Sequence, residues 1–115
     1  MVTVEQEQIE KLTTDYQLLQ EQLQSLELHR EQYKMQKEEY KEALAELEKA
    51  QGKIYKALGG IMVEVSKDEA KKEIDEKQSL IDMRLEIAGK QYSDLAKKEQ
   101  EMRNQINAML KEFKQ

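Results

Sequence analysis

Apolar residues recur through the first fifty positions at alternating steps of three and four. They are Ile9, Leu12, Tyr16, Leu19, Leu23 and Leu26, then Tyr33, Tyr40, Leu44 and Leu47. This seven-residue period holds one stripe of a helix against a partner helix. With Ile9 at an a position, every d position from Leu12 to Leu47 is apolar. The a series is interrupted at Arg30, Lys37 and Gln51. A second stretch repeats the pattern: Ile74, Ile81, Ala88, Leu95, Met102 and Met109 fall seven apart. Their companions are Gln78, Leu85, Tyr92, Glu99, Ile106 and Phe113. Thr3 with Gln6, and Ser66 with Glu69, have the spacing of a capping box, which satisfies the free N–H groups of a helix start. Gly52 stands where a glycine would end the first helix. The pattern predicts one helix from about Val4 to Ala50 and a second opening at Lys67.

Between the arms the period changes. Ile54, Tyr55, Ala57, Leu58, Ile61, Met62, Val63 and Val65 are apolar, and β-branched residues gather in the second half. Ile61, Val63 and Val65 fall on one face of a strand, with Met62 and Glu64 on the other. Gly59-Gly60 suits a two-residue hairpin turn and can supply two positive φ values. A lone two-stranded hairpin is marginal in water, and its edges offer unpaired N–H and C=O groups. Ile54, Tyr55, Leu58, Gly59, Gly60, Ile61, Val63 and Val65 are therefore candidates for assembly with other copies.

Two arms of nearly equal length joined by a short link point to an antiparallel hairpin, each arm about 70 Å long. Pairing a with d positions leaves two registers open. One sets Ile9 beside Met109, with the ends flush; the other sets Leu12 beside Phe113. The expected fold is mainly α, a long antiparallel two-helix coiled coil with one β-hairpin at the connection. Residues 1–115 form a single domain made of an N-terminal helix (1–51), an assembly hairpin (52–66) and a C-terminal helix (67–115).

Composition supports long helices: 37% of the 115 residues are charged, 5% are aromatic, and there is no Pro or Trp. The absence of Cys removes disulfides and thiolate metal sites, and leaves a reducing compartment compatible. No apolar run approaches the length of a membrane span, and the first residues lack the basic start and apolar core of a signal peptide. A cytoplasmic protein is expected. The net charge is −5, and residues 1–51 carry 12 acidic against 6 basic side chains, which disfavours nucleic acid. His29 is the sole histidine, at a solvated g position, and no phosphate-binding glycine loop is present. Neither an enzyme nor a cofactor is expected. Arg30 and Lys37 read as register-setting residues whose stems cover apolar surface. Gly89 weakens the second helix and allows either close approach or bending, or is simply tolerated.

The chain ends are apolar. Val2, Val4, Ile9 and Leu12 open the sequence; Met102, Ile106, Met109, Leu110 and Phe113 close it. In a hairpin these sets meet far from the strands. Unbranched, polarizable side chains adapt to many apolar partners. Ordinary seam packing accounts for most of the same residues, and the pattern leaves both readings open.

The run Ile54-Tyr55-Lys56-Ala57-Leu58-Gly59-Gly60-Ile61-Met62-Val63, followed by Lys67-Asp68-Glu69-Ala70, resembles the hairpin signature of archaeal prefoldin β-type subunits. The resemblance covers nearly the whole chain, and the single hairpin is of the β type. It implies a hexamer of two α-type and four β-type subunits whose hairpins build an oligomeric β-barrel. It also implies ATP-independent capture of unfolded client proteins and delivery to a group II chaperonin. The contact region it implies is Val2, Val4, Ile9, Leu12, Met102, Met109, Leu110 and Phe113, with Glu5, Glu7 and Glu10 beside it. The alternative is a structural coiled-coil tether or adaptor, in which the hairpin serves only for assembly.

Overall fold

The structure is a computed structural model that describes residues 3–114, with side chains as far as Glu112. Four elements follow in order: α1 (Val4–Lys49), β1 (Ile54–Leu58), β2 (Ile61–Val65) and α2 (Lys67–Lys114). Both helix starts form as the sequence predicts. The Thr3 backbone N–H donates to Gln6 Oε1 at 2.9 Å, and the Gln6 N–H donates to Thr3 Oγ1 at 3.2 Å. At α2 the Glu69 N–H donates to Ser66 Oγ at 3.1 Å. Acidic side chains occupy both first turns, Glu5 and Glu7 on α1 and Asp68 and Glu69 on α2, where they meet the positive end of each helix dipole.

Helix α1 ends at Lys49, short of Gly52. Gly52 lies beyond the cap, with φ +102°, where the chain turns toward β1. Lys67 closes the junction by donating from Nζ to the Glu48 carbonyl at 3.0 Å, so a cation from α2 satisfies a free carbonyl at the end of α1.

The chain divides into two compact units. One comprises α1 as far as Arg30 with α2 from Ile87; the other comprises Glu31–Glu86. In the first unit the expected seam is covered: Leu19 and Ala88 are buried, and Ile9, Leu12, Tyr16, Leu23, Leu26, Leu95, Met102, Ile106 and Met109 are half-buried. The Tyr16 hydroxyl donates to Glu99 Oε1 at 2.6 Å, and Arg103 bonds both partners. These contacts favour the register in which Ile9 lies beside Met109. In the other register Tyr16 would lie level with Met109, about 15 Å along the helix from Glu99. Arg30 rests its guanidinium 4.9 Å from the Tyr92 ring centroid and pairs with Glu27 at 2.9 Å.

In the second unit Leu47 and Ile81 are buried, while Tyr33, Tyr40, Leu44, Ile74, Gln78 and Leu85 are half-buried. Lys37 sits in the seam and sends its ammonium to Asp82 at 2.8 Å. The two strands form an antiparallel pair with Leu58 opposite Ile61, so Gly59-Gly60 is the two-residue turn. Only Gly59 has a positive φ, +58°, where the sequence allowed for two. Positive φ at the first central position alone is the II′ pattern, so Gly60 has an ordinary backbone.

Candidate binding surfaces

The strand register sorts the hairpin side chains onto two faces. Ile54, Lys56 and Leu58 share one face with Val65, Val63 and Ile61; Tyr55 and Ala57 share the other with Glu64 and Met62. The first face is rooted on α2. Lys56 reaches Glu73 Oε1 at 2.7 Å, and Lys77 approaches the same oxygen at 3.3 Å. The hydrogen bond from Lys56 is the main cause that holds the Glu73 carboxyl below its ordinary pKa. Partial desolvation opposes it, and Lys77 adds to it. Ile54, Lys56 and Val65 are accordingly half-covered.

The rest of the hairpin is open. Tyr55, Leu58, Ile61 and Met62 are each at least half exposed, and Val63 is 40% exposed. Gly59 and Gly60 have nothing within 4 Å of an added Cβ, so the turn is open as well. A cluster of large apolar side chains on ten strand residues marks an interaction surface. Of the residues expected here, Ile54 and Val65 form the root rather than the open face. Met62 belongs to the open face, although the alternation had set it apart from Ile61, Val63 and Val65. Its membership follows from both faces being open, which periodicity alone does not reveal.

The second surface lies in the unit that contains the chain ends. Val4 is 66% exposed and Leu110 39%. Ile9, Leu12, Met102 and Met109 are half-buried in the seam, so the binding and packing readings both apply to them. An open groove of about 530 Å³ runs beside Leu12 and Met109, walled by Ala108 and rimmed by polar residues such as Gln8 and Gln105. Val2 and the side chain of Phe113 lie outside the described residues.

Among the described residues no group of three or more His, Asp or Glu side chains could hold a metal ion. No described helix is long and apolar enough to cross a membrane. His29 is exposed, as its g position predicts. The Tyr16, Glu99 and Arg103 cluster was the unforeseen polar feature. Glu99 and Arg103 stand four apart on α2, but the partnership of Tyr16 depends on the interhelical register. Tyr16 is the main cause that lowers the Glu99 pKa, followed by Arg103; the Arg103 pKa rises in return.

The chain is similar to the prefoldin beta subunit from Thermococcus strain KS-1, with 28% identity and a TM-score of 0.81 over 88% of this chain and 90% of that one. The prefoldin beta2 subunit from the same strain, at 22% identity, matches in fold with a TM-score of 0.70 over 77% of this chain and 97% of that one. No curated protein matches by sequence. The family model described as "Prefoldin subunit" matches residues 6–113, from the first turns of α1 through the hairpin to the last turn of α2, and the chain belongs to that family.

Proposed function

We propose that the chain is the β-type subunit of an ATP-independent cytoplasmic chaperone, acting as a single functional domain. It assembles through its hairpin with α-type prefoldin subunits into a hexamer of two α and four β chains. The hexamer captures unfolded proteins and passes them to a group II chaperonin. The observation that carries this reading is the open hairpin, where Tyr55, Leu58, Ile61, Met62 and Val63 remain 40–67% exposed. Such a surface calls for other subunits, and family membership supports prefoldin subunits as those partners.

Capture is assigned to Val2, Val4, Ile9, Leu12, Met102, Met109, Leu110 and Phe113. Exposed Val4 and Leu110, in the same unit as the Leu12–Met109 groove, support that assignment. Adaptable, shallow apolar contacts bind many sequences weakly, and several arms acting together raise avidity. Glu5, Glu7 and Glu10 add charge at the same end for contact with a chaperonin.

The test mixes the chain with an α-type prefoldin subunit, measures the complex mass, and follows aggregation of an unrelated denatured protein. Wild type should form the complex and suppress aggregation. The triple change Met109→Gln, Leu110→Gln, Phe113→Gln should keep the mass and lose most of the protection. Full protection by the triple variant would refute the capture assignment. A wild-type complex that protects nothing would instead identify a tether.

A further inference from the structure

The seam of the unit containing the chain ends is closed on one flank and open on the other. On the closed flank Arg103 covers Tyr16 and Glu99, and Glu27 pairs with Arg30 over Tyr92. On the open flank lie two grooves. The first, of about 530 Å³, follows Leu12 and Met109; the second, of about 570 Å³, follows Leu26 and Leu95. They are the same groove repeated. Leu26 is fourteen residues after Leu12, and Leu95 is fourteen before Met109. The rim glutamines shift equally, from Gln8 and Gln105 to Gln22 and Gln91. Leu18 lies between them on α1, at the heptad position shared by groove residues Lys11 and Ser25, and is 53% exposed.

We infer that this flank is a track for one extended segment of unfolded polypeptide, with apolar side chains about six residues apart seated in successive grooves. The inference rests on the proposed capture of unfolded clients and extends it beyond the chain ends. Fourteen helical residues advance about 21 Å, the span of about six residues of extended chain. The four glutamine amides are exposed, and an amide both donates and accepts. They complement the unpaired N–H and C=O groups of an extended backbone, which a folded partner would have satisfied internally. Charge complementarity points the same way. Lys11 and Asp15 offset each other on the first groove and Asp94 stands on the second, so the segment is uncharged or weakly basic.

The probes are unstructured, weakly basic peptides carrying two leucines either six or three residues apart, titrated by fluorescence anisotropy into the complex with α-type subunits. The six-residue spacing should bind more tightly. Ser25→Trp, which fills the second groove, and Leu18→Gln should each weaken that peptide about tenfold and leave the three-residue spacing unchanged. Gln24→Trp, on the closed flank, should change neither. Helical content and complex mass are checked for every variant. Equal affinity for the two spacings, an unchanged Kd in Ser25→Trp, or equal weakening by Gln24→Trp would overturn the track. A fall in complex mass with Leu18→Gln would also overturn it, showing a second copy as the occupant. If the track fails while the Met109, Leu110 and Phe113 variant still loses protection, the proposed function stands alone. If neither peptide binds and wild type protects no client, both fall.

Discussion

Gly59 and Gly60 look equivalent in sequence but should respond in opposite ways to alanine. Gly59 has φ +58°, a region an L side chain resists, and Gly60 has no positive φ. Nothing lies within 4 Å of a Cβ added at either position, so packing contributes nothing to the difference. Gly59→Ala should cost about 1–2 kcal/mol of hairpin stability through the backbone alone. Gly60→Ala should be neutral or stabilise by about 0.4–1 kcal/mol, by restricting the unfolded chain. If hairpin formation is coupled to assembly, Gly59→Ala raises the concentration for half-assembly with α-type subunits about 5- to 30-fold. Sedimentation over a concentration series reads this shift, with helical circular dichroism as the control. A chemically introduced D-alanine at position 59, which favours positive φ, should restore assembly. Equal loss in the Gly59→Ala and Gly60→Ala proteins, or failure of the D-alanine rescue, would refute the II′ assignment and the coupling drawn from it.

Arg30→Met should be neutral or stabilise by about 1 kcal/mol in urea unfolding. It removes a buried, unpartnered Nε that costs about 1–3 kcal/mol, against about 0.5–1 for the Tyr92 contact and 0–1 for the Glu27 pair. A loss above about 1 kcal/mol would show that the Tyr92 contact dominates. Gly89→Ala should stabilise by about 1 kcal/mol and raise the melting temperature, because an added Cβ meets nothing within 4 Å; a lower melting temperature would mean the helix needs the glycine. Glu73 and Glu99 have lowered pKa values, so their contribution is complete above the ordinary carboxylate pKa and disappears as pH falls through the depressed values. Helical signal should therefore hold from pH 7 to about 5 and fall below about 4.3, with a shallower acid limb in Glu99→Gln and Glu73→Gln; a loss already complete at pH 5.5 would contradict this.

The two helices, the strands and the caps could be read from the sequence because each rests on local chemistry. Heptad spacing placed Leu19, Leu47, Ile81 and Ala88 in the seam, and these are the buried residues among those described. Thr3 with Gln6 formed the capping box that their spacing predicts. The register was not local. Both a-to-d pairings satisfy the pattern, and only the meeting of Tyr16 with Glu99 separates them. The turn was half local: a glycine pair permits positive φ at both positions, and the strand pairing used it at Gly59 alone. Met62, which alternation along β2 set apart from Ile61, Val63 and Val65, is as open as Ile61 and shares its face with Tyr55, because exposure at the hairpin end does not follow one face.

The polar interruptions of the a series carry more information than a count of defects. Arg30, Lys37 and Glu99 occupy positions that prefer apolar side chains, and each finds its partner on the same heptad flank: Glu27, Asp82 and Arg103. These partners are all e positions, and in an antiparallel pair the e positions of the two helices share a flank, as do the g positions. Long polar side chains leaving the seam toward e therefore close that flank, while the two grooves lie on the g flank with Gln8, Gln22, Gln91 and Gln105 on their rims. Ion pairs this exposed contribute about 0–1 kcal/mol each, too little to explain them as a device for stability. Their stronger effect is directional. Moving Arg30 to a partner on the g flank, by Glu27→Gln with Gln91→Glu across the seam beside Tyr92, should leave unfolding free energy within about 1 kcal/mol. It should also place charge over the Leu26–Leu95 groove. Tighter binding of apolar peptides by that variant would contradict the directional role; weaker binding with unchanged stability is the outcome the geometry requires.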